Sequence, residues 1–518
     1  MKLSQLLRGV DVAEMRGDSD VNISAVTADS RLVTPGALFV AIRGLQQNGS
    51  SFVRSAAEKG AAAIVAEDGG ESLDRIADGG EAPGRAARAT GLPGPPVAWI
   101  RTPDARAALA LIAANLHGRP ADQLTLVGVT GTSGKTTTTK MIESIFDATG
   151  EPAGLIGTIE YRAGHERLLA DRTTPDALVL HDWFGRMVAA GVHHAVMEVS
   201  SHALALERTY GLRFAAAVFT NLSRDHFDFH KDFEDYYRAK RILFDQIDRS
   251  QKSAVVNVDD EYGRRLAGEM GSAVVTYGRE TSADIHPEEG FEISVRGLEG
   301  RFDTPSGSIR VSSALLGLPN LYNWMGAVGA ALTVGIPSEA IERGIRSLTT
   351  VRGRFERVPS SAGPTVIVDY AHKPDALEKL LHAVRGLASG RRIVLVFGCG
   401  GDRDKGKRPL MGRIAGQLAD YTIITSDNPR GELPEEIVSQ IEEGFAGSAP
   451  GKFERVLDRR QAIARAVAEA SADDVVLIAG KGHENYQVIA DRIIHFDDRE
   501  EAELALKKFA QKESGKAS

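Results

Sequence analysis

Val127-Gly128-Val129-Thr130-Gly131-Thr132-Ser133-Gly134-Lys135-Thr136-Thr137-Thr138 leads from an apolar run through three glycines into a threonine-rich stretch. The pattern predicts a strand over 124–129, a tight turn, and a helix from about Lys135. Such a turn aims backbone N–H groups and a helix N-terminus at one point, which suits a polyphosphate. Lys135 then reaches the β- and γ-phosphates, and Thr136 holds Mg²⁺ through its hydroxyl. The strict phosphate-loop pattern has glycine where this chain has Val129, so the motif here is Gly-x-x-Gly-x-x-Gly-Lys-Thr. A glycine turn without a ligand is the plainer alternative. The Lys-Thr pair directly after the third glycine favours bound ATP or GTP.

A chain of 518 residues is long enough for about three domains. With 42% hydrophobic and 25% charged residues, its composition is that of an ordinary soluble protein. No window approaches the run of about 18 apolar residues that a membrane span needs. Residues 1–8 lack the apolar core of a signal peptide. The single cysteine, Cys399, excludes an internal disulfide and fits a reducing cytoplasm. A net charge of −8 gives no electrostatic reason to expect nucleic acid as a partner.

The fold class is α/β, in three domains. Residues 1–120 carry short strands around 37–42 and 62–66, and a Gly/Glu/Ala/Pro-rich insert over 68–96 that reads as a mobile surface loop. Residues 121–352 carry apolar strands at 195–199, 215–220, 254–258 and 273–277 alternating with helices, hence a largely parallel sheet covered on both faces. Residues 353–518 repeat the alternation, with strands at 365–369, 393–397, 421–426 and 475–479 and helices over 374–387, 408–418 and 459–470. Ligands of open α/β sheets sit at the carboxyl ends of strands. All four ends here are polar: Asp369-Tyr370-Ala371-His372-Lys373, Gly398-Cys399-Gly400-Gly401-Asp402-Arg403, Asp427-Asn428-Pro429-Arg430 and Gly480-Lys481-Gly482-His483-Glu484.

Glu198 leaves the end of a buried strand, where it can ligate Mg²⁺ or cap the next helix. Asn221-Leu222-Ser223-Arg224-Asp225-His226-Phe227-Asp228-Phe229-His230 is either a metal site or a polar turn. No Asn-Lys-x-Asp element is present, which disfavours a GTPase. Lys240 lies on an amphipathic helix with Phe233, Tyr237 and Phe244 on one face, and by its spacing alone it reads as a solvated surface lysine. Arg354, His372, Lys373, Arg403 and Arg430 supply positive charge for carboxylates and phosphates. Asp427 can accept an ammonium while Arg430 pairs with a carboxylate, or the segment is a surface turn ended by Pro429.

Taken in order, these motifs resemble the Mur ligase family of ATP-dependent amide-forming enzymes over nearly the whole chain. The resemblance rests also on Asp29-Ser30-Arg31, Pro35 to Ala41, Thr173-Thr174-Pro175, Glu198 to His202, Tyr237 to Lys240, Asn320-Leu321-Tyr322-Asn323, Gly353-Arg354-Phe355-Glu356 and Gly400 to Lys407. It implies an N-terminal UDP-binding α/β domain, a central P-loop ATPase-type domain and a C-terminal Rossmann-like domain. By resemblance, Ser30, Thr173, Thr174, Ser200 and Arg208 hold the UDP-linked precursor. Gly131, Thr132, Ser133, Gly134, Lys135, Thr136, Thr137, Asn323, Arg354, Asp369 and Lys373 hold ATP. Thr136, Glu198, His226 and Lys240 hold Mg²⁺, two ions in all, with Lys240 carried as a carbamate formed with CO₂. Lys135, Lys240, Glu198 and His226 form the catalytic set. Arg403, Asp427, Asn428, Arg430, Gly480 and Glu484 hold the incoming amino acid, and the Asp-Asn-Pro-Arg form implies meso-2,6-diaminopimelate, whose second carboxylate Arg430 pairs with.

The implied reaction joins that amino acid to the D-glutamate γ-carboxylate of UDP-MurNAc-L-Ala-D-Glu through an acyl phosphate, with closure of the third domain hinged near 120–123 and 348–352. The implied protein is a monomer in the cytoplasm. Ser133 replaces a usual asparagine, Asn48-Gly49-Ser50 replaces a usual Asp-Gly-His or Asp-Gly-Arg, and Asn485 replaces a frequent aspartate. The rival readings are a lysine-adding ligase, a folylpolyglutamate-synthase-like enzyme, and a nucleotide-dependent regulator that binds precursors without joining them.

Overall fold

The computed structural model describes residues 1–44, 47–67, 97–360, 362–388, 390–446 and 452–516. The insert over 68–96 lies outside the described residues.

Three main sheets follow one another along the chain. The first has the strand order Glu14–Arg16, Ala98–Thr102, Ala63–Glu67, Leu38–Ala41, Val26–Thr27, parallel except at the Glu14–Arg16 edge. Beside it, Asn48 accepts a hydrogen bond from Ser50 N at 3.1 Å and caps the short turn Gly49–Phe52.

The second sheet has eight strands, in the order Val274–Tyr277, Ala254–Asn257, Ala216–Phe219, Thr125–Thr130, His194–Glu198, Gly154–Ile156, Glu160–Ala163, Glu166–Leu169. Its first six strands are parallel and the last two antiparallel. Side chains alternate between two cores, as a pleated strand covered on both faces requires. Val127, Val129, Val196 and Val218 join a cluster around Trp324, while Leu126, Met197, Ala217 and Phe219 join one around Phe244 and Trp183. The third sheet has the order Glu356–Arg357, Thr365–Asp369, Val475–Ala479, Ile393–Phe397, Tyr421–Ile424, Phe453–Arg455. It is parallel apart from the Glu356–Arg357 edge.

The α/β expectation therefore holds, and several strand bounds shift by one or two residues. Not anticipated were the antiparallel sheet of His286–Pro287, Gly297–Asp303, Glu292–Ser294 and Ile309–Ser313, and the hairpin of Tyr486–Ile489 with Arg492–His495. The segments of the first are polar and punctuated by glycine, the strands of the second are four residues each, and neither carries a period long enough to read. Among the described residues no helix is long and apolar enough to cross a membrane.

Helix Ala177–Ala189 of the second unit packs on helix Ala105–Leu116 of the first, and it buries His181. That ring stands edge-on to Phe184, with centroids 5.7 Å apart, and neither nitrogen has a hydrogen-bond partner. Burial, reinforced by His117 and Arg119, depresses the imidazole from 6.5 to about 4. The unfolded chain binds this proton near pH 6.5, and the folded chain only near pH 4. The stability tied to the neutral ring is therefore complete above pH 6.5 and lost as the pH falls to 4, on the order of 3 kcal/mol. His181→Leu is expected to lose that much less stability than the parent between pH 6.5 and 4, measured by denaturant titration at each pH. Equal losses would remove His181 from the account.

Candidate active site

Strand Thr125–Thr130 lies between His194–Glu198 and Ala216–Phe219, with Glu198 opposite Val129 and Phe219 opposite Thr130. The three carboxyl ends therefore open beside one another. The chain turns over Gly131 (φ +149°) and Gly134 (φ +88°) into helix Lys135–Asp147. A Cβ at Gly131 would stand 1.8 Å from Thr220 Oγ1, and one at Gly134 would stand 2.5 Å from Asn323 Oδ1. Glycine is thus demanded by both backbone and space. Asn221 supports the turn: its carbonyl accepts from Thr132 N at 2.8 Å and its Oδ1 from Ser133 N at 3.0 Å.

Two amines converge on this loop. Lys135 Nζ donates to Gly131 O at 2.8 Å and to Thr132 O at 2.9 Å. Lys240 Nζ donates to the same Gly131 O at 2.7 Å. Lys240 is 1% exposed, which corrects the surface reading. Its helix, Phe233–Arg241, turns Tyr236 and Lys240 inward together, one turn apart, and the ammonium lies 4.4 Å from the Tyr236 ring centroid. Phe233, expected on the apolar face, is instead 36% exposed. Burial, and then the charge of Lys135, push the Lys240 amine well below the ordinary lysine value. Burial lowers Lys135 as well.

Glu198 is fully buried. Its Oε2 accepts from Thr136 Oγ1 and from Thr158 Oγ1, both at 3.0 Å, and its Oε1 from Thr158 N at 2.7 Å. Among the described residues no ion pair reaches it. A buried carboxylate held only by neutral donors, one of them the phosphate-loop threonine, suits a divalent cation that needs one or two carboxylates beside phosphate oxygens. The helix-cap alternative fails, because Ser200 caps Ser201–Ala205 by accepting from Ala203 N. Thr158 also meets Thr173 Oγ1 at 3.0 Å. Thr174 Oγ1 donates to Glu198 O at 2.8 Å and accepts from Ser200 N at 3.1 Å, and Arg208 donates to Thr174 O at 2.7 Å. Thr173, Thr174, Ser200 and Arg208, far apart in sequence, thus form one network with Glu198. Sequence reasoning missed its hub, Thr158; the only signal was a Gly-Thr pair at the end of strand Gly154–Ile156.

His226 takes φ +56° and stacks edge-on against His202, with centroids 4.7 Å apart. Burial depresses its imidazole to about 4 against the pull of Asp225, and Lys373, His202 and Lys135 add to the effect. The ring is neutral and able to ligate. His230 turns away, onto Ser201 Oγ at 3.0 Å. Among the described residues no three His, Cys, Asp or Glu side chains gather as a preformed metal cluster.

The third sheet contributes from its carboxyl ends. Lys373 pairs with Asp225 across the two sheets. Burial alone would raise the Asp225 carboxyl, but the Lys373 charge and hydrogen bond hold it below the usual range. Asp369 accepts from Phe355 N at 2.7 Å and Ala371 N at 2.8 Å, and the Arg354 guanidinium lies 4.8 Å from the Tyr370 ring centroid. Asp427 and Asn428 are buried. Asn428 Nδ2 donates to Glu484 Oε2 at 2.9 Å. Arg430, at φ +51° and half-buried, donates to Gly401 O at 2.9 Å, so the surface-turn alternative is set aside. A Cβ at Gly480 would stand 2.8 Å from Asp427 Oδ2. Arg403 is exposed. Ser30 begins a short turn beside the first sheet, where Ser30 O accepts from Lys59 Nζ at 2.7 Å. No described hydrogen bond ties it to the central network.

Sequence profiles of the Mur ligase family match three segments: the catalytic domain over 22–117, the middle domain over 129–331 and the glutamate ligase domain over 353–482. Curated relatives similar over nearly the whole chain carry the name UDP-N-acetylmuramoyl-L-alanyl-D-glutamate–2,6-diaminopimelate ligase. The one from Geobacter metallireducens is 41% identical over 99% of this chain and all of its own length. The one from Gloeobacter violaceus is 45% identical over 98% of each. A solved structure of the same name aligns with TM-score 0.67 and 31% identity, over 98% of this chain and 99% of its own. Folylpolyglutamate synthase from Mycobacterium tuberculosis shares the fold at TM-score 0.55 and 18% identity, over 71% of this chain and 91% of its own.

Thr158→Val removes a hydroxyl that a buried carboxylate relies on, while keeping the shape of the side chain. The expected outcome is a fall in turnover of about tenfold or more, with Thr158→Ser close to the parent. An undiminished Thr158→Val enzyme would show that Glu198 needs no such support.

Proposed function

This chain belongs to the Mur ligase family, and on that premise we propose that it joins meso-2,6-diaminopimelate to UDP-MurNAc-L-Ala-D-Glu in an ATP-dependent, ADP-forming reaction of peptidoglycan precursor synthesis. One observation carries the reading: a phosphate loop crowded by two lysines and a buried carboxylate faces a sheet whose strand end presents Asp427-Asn428-Pro429-Arg430. The high identity to ligases so named over the full chain supports it.

In this reading residues 1–120 hold the UDP moiety near Ser30, residues 121–352 bind ATP, and residues 353–518 bind the amino acid. Thr173, Thr174, Ser200 and Arg208 hold the muramoyl dipeptide. The segment from Gly131 to Thr137, with Asn323, Arg354, Asp369 and Lys373, holds ATP. Thr136, Glu198, His226 and Lys240 would hold two Mg²⁺ ions, which would supply Lewis-acid neutralisation of the charge that develops on the phosphate. Burial and the charge of Lys135 favour the unprotonated, nucleophilic amine of Lys240, which would take up CO₂ with loss of a proton, and the resulting carbamate would place an anion beside Lys135.

The D-glutamate γ-carboxylate attacks the γ-phosphate of ATP, while Lys135 and the loop N–H groups offset charge on the transferred group. The diaminopimelate amine then attacks the acyl phosphate, phosphate leaves, and an amide remains. Closure of the third domain about 120–123 and 348–352 brings in the amine and excludes water. The enzyme acts as a monomer in the cytoplasm on small-molecule substrates, without nucleic acid. Arg430 argues against lysine, which has no second carboxylate to pair with it and brings an ammonium instead.

Phosphate release from ATP with UDP-MurNAc-L-Ala-D-Glu is expected to depend on meso-diaminopimelate and not on L-lysine. Release with lysine would overturn the specificity, and release with neither would favour a regulator that binds without joining. Arg430→Ala is expected to raise KM for diaminopimelate on the order of a hundredfold. Lys240→Ala is expected to abolish amide formation while nucleotide binding persists; full activity would exclude a carbamate there.

A further inference from the structure

Among the described lysines Lys240 and Lys481 are the two with almost no exposed surface, and the reaction above gives Lys481 no task. Its Nζ donates to Asn428 Oδ1 at 3.0 Å and Glu484 Oε2 at 3.2 Å, and stands 3.9 Å from Asp427 Oδ1. Asn428 Nδ2 donates to that same Glu484 oxygen, which closes a triangle of three side chains. The triangle spans a gap. Asn428 follows strand Tyr421–Ile424, Lys481 and Glu484 follow Val475–Ala479, and strand Ile393–Phe397 runs between the two. Such loops stand two strand spacings apart, roughly 9–10 Å, and a long ammonium side chain reaches across where a short one does not.

The charge count gives the link a second consequence. Asp427 and Glu484 are two carboxylates on one binding face, and Lys481 cancels one of them. We propose that Lys481 is a positioning and specificity-determining residue for the amino-acid substrate. It holds Glu484 and Asn428 in one arrangement and leaves that corner with a single net negative charge, matched to one ammonium, while Arg430 faces a carboxylate. Without it the two carboxylates repel each other, the loops lose their shared anchor, and the excess negative charge welcomes a second cation. The inference rests on the proposed amino-acid site and adds to it a residue that does not touch the reacting atoms.

The test measures phosphate release by the parent, Lys481→Met, Lys481→Gln and Lys481→Arg, varying meso-diaminopimelate, L-lysine and ATP in turn, with a melting transition for each protein. For Met and Gln the expected result is a KM for diaminopimelate raised about tenfold or more, a KM for ATP within about threefold of the parent, and a smaller preference over lysine. Arg, which keeps the charge, recovers part of the loss. An unchanged KM for diaminopimelate, or equal rises for both substrates, overturns the proposal. Loss of the folded state in both the Met and the Gln variants overturns it in favour of a purely structural role. A parent that releases phosphate with neither amino acid overturns the underlying functional reading, and this inference with it.

Discussion

Two lysine side chains, Lys135 and Lys240, donate to one carbonyl oxygen, that of Gly131. Two ammonium groups held this close, away from water, cannot both be comfortable as cations. The arrangement is stable in charge terms only when something anionic arrives, or when one amine changes its chemistry. That constraint organises the centre of the molecule: Glu198 waits at the neighbouring strand end with both oxygens held by neutral donors, and Asp225 sits where Lys373 neutralises it. A bound polyphosphate would relieve that imbalance.

Sheet order brings these groups together. The phosphate-loop strand lies between the strands ending in Glu198 and Phe219, so one parallel register aligns three carboxyl ends within hydrogen-bonding reach. Thr158 enters from the next strand along and joins the Glu198 carboxylate to Thr173. Threonine hydroxyls on this carboxylate thereby connect Thr136 of the phosphate loop with Thr173. Lys373 and Asp225 form the corresponding link between the second and third sheets.

Much of this was legible in the residues. The glycine spacing and the Lys-Thr pair marked the turn into helix Lys135–Asp147, and the polar strand ends marked the carboxyl edge of the third sheet, because those motifs are local and follow from residues close in sequence. Two groups were not legible. Lys240 read as a surface lysine because a helix with charges at most positions gives no sign of which face is covered, and Tyr236 supplied the cover. Thr158 and Lys481 have no periodic signature at all; each has a partner, Glu198 and Asn428 respectively, that lies 40 or more residues away.

The sequence by itself determined the α/β class, the three successive alternations of strand and helix, and the side-chain chemistry at each strand end, since hydrophobic period and glycine placement are properties of the chain read in order. Tertiary structure alone decided which of those ends face one another, and which amines lose their solvent. Those outcomes depend on strand order and on burial, which bring together residues that no local pattern connects.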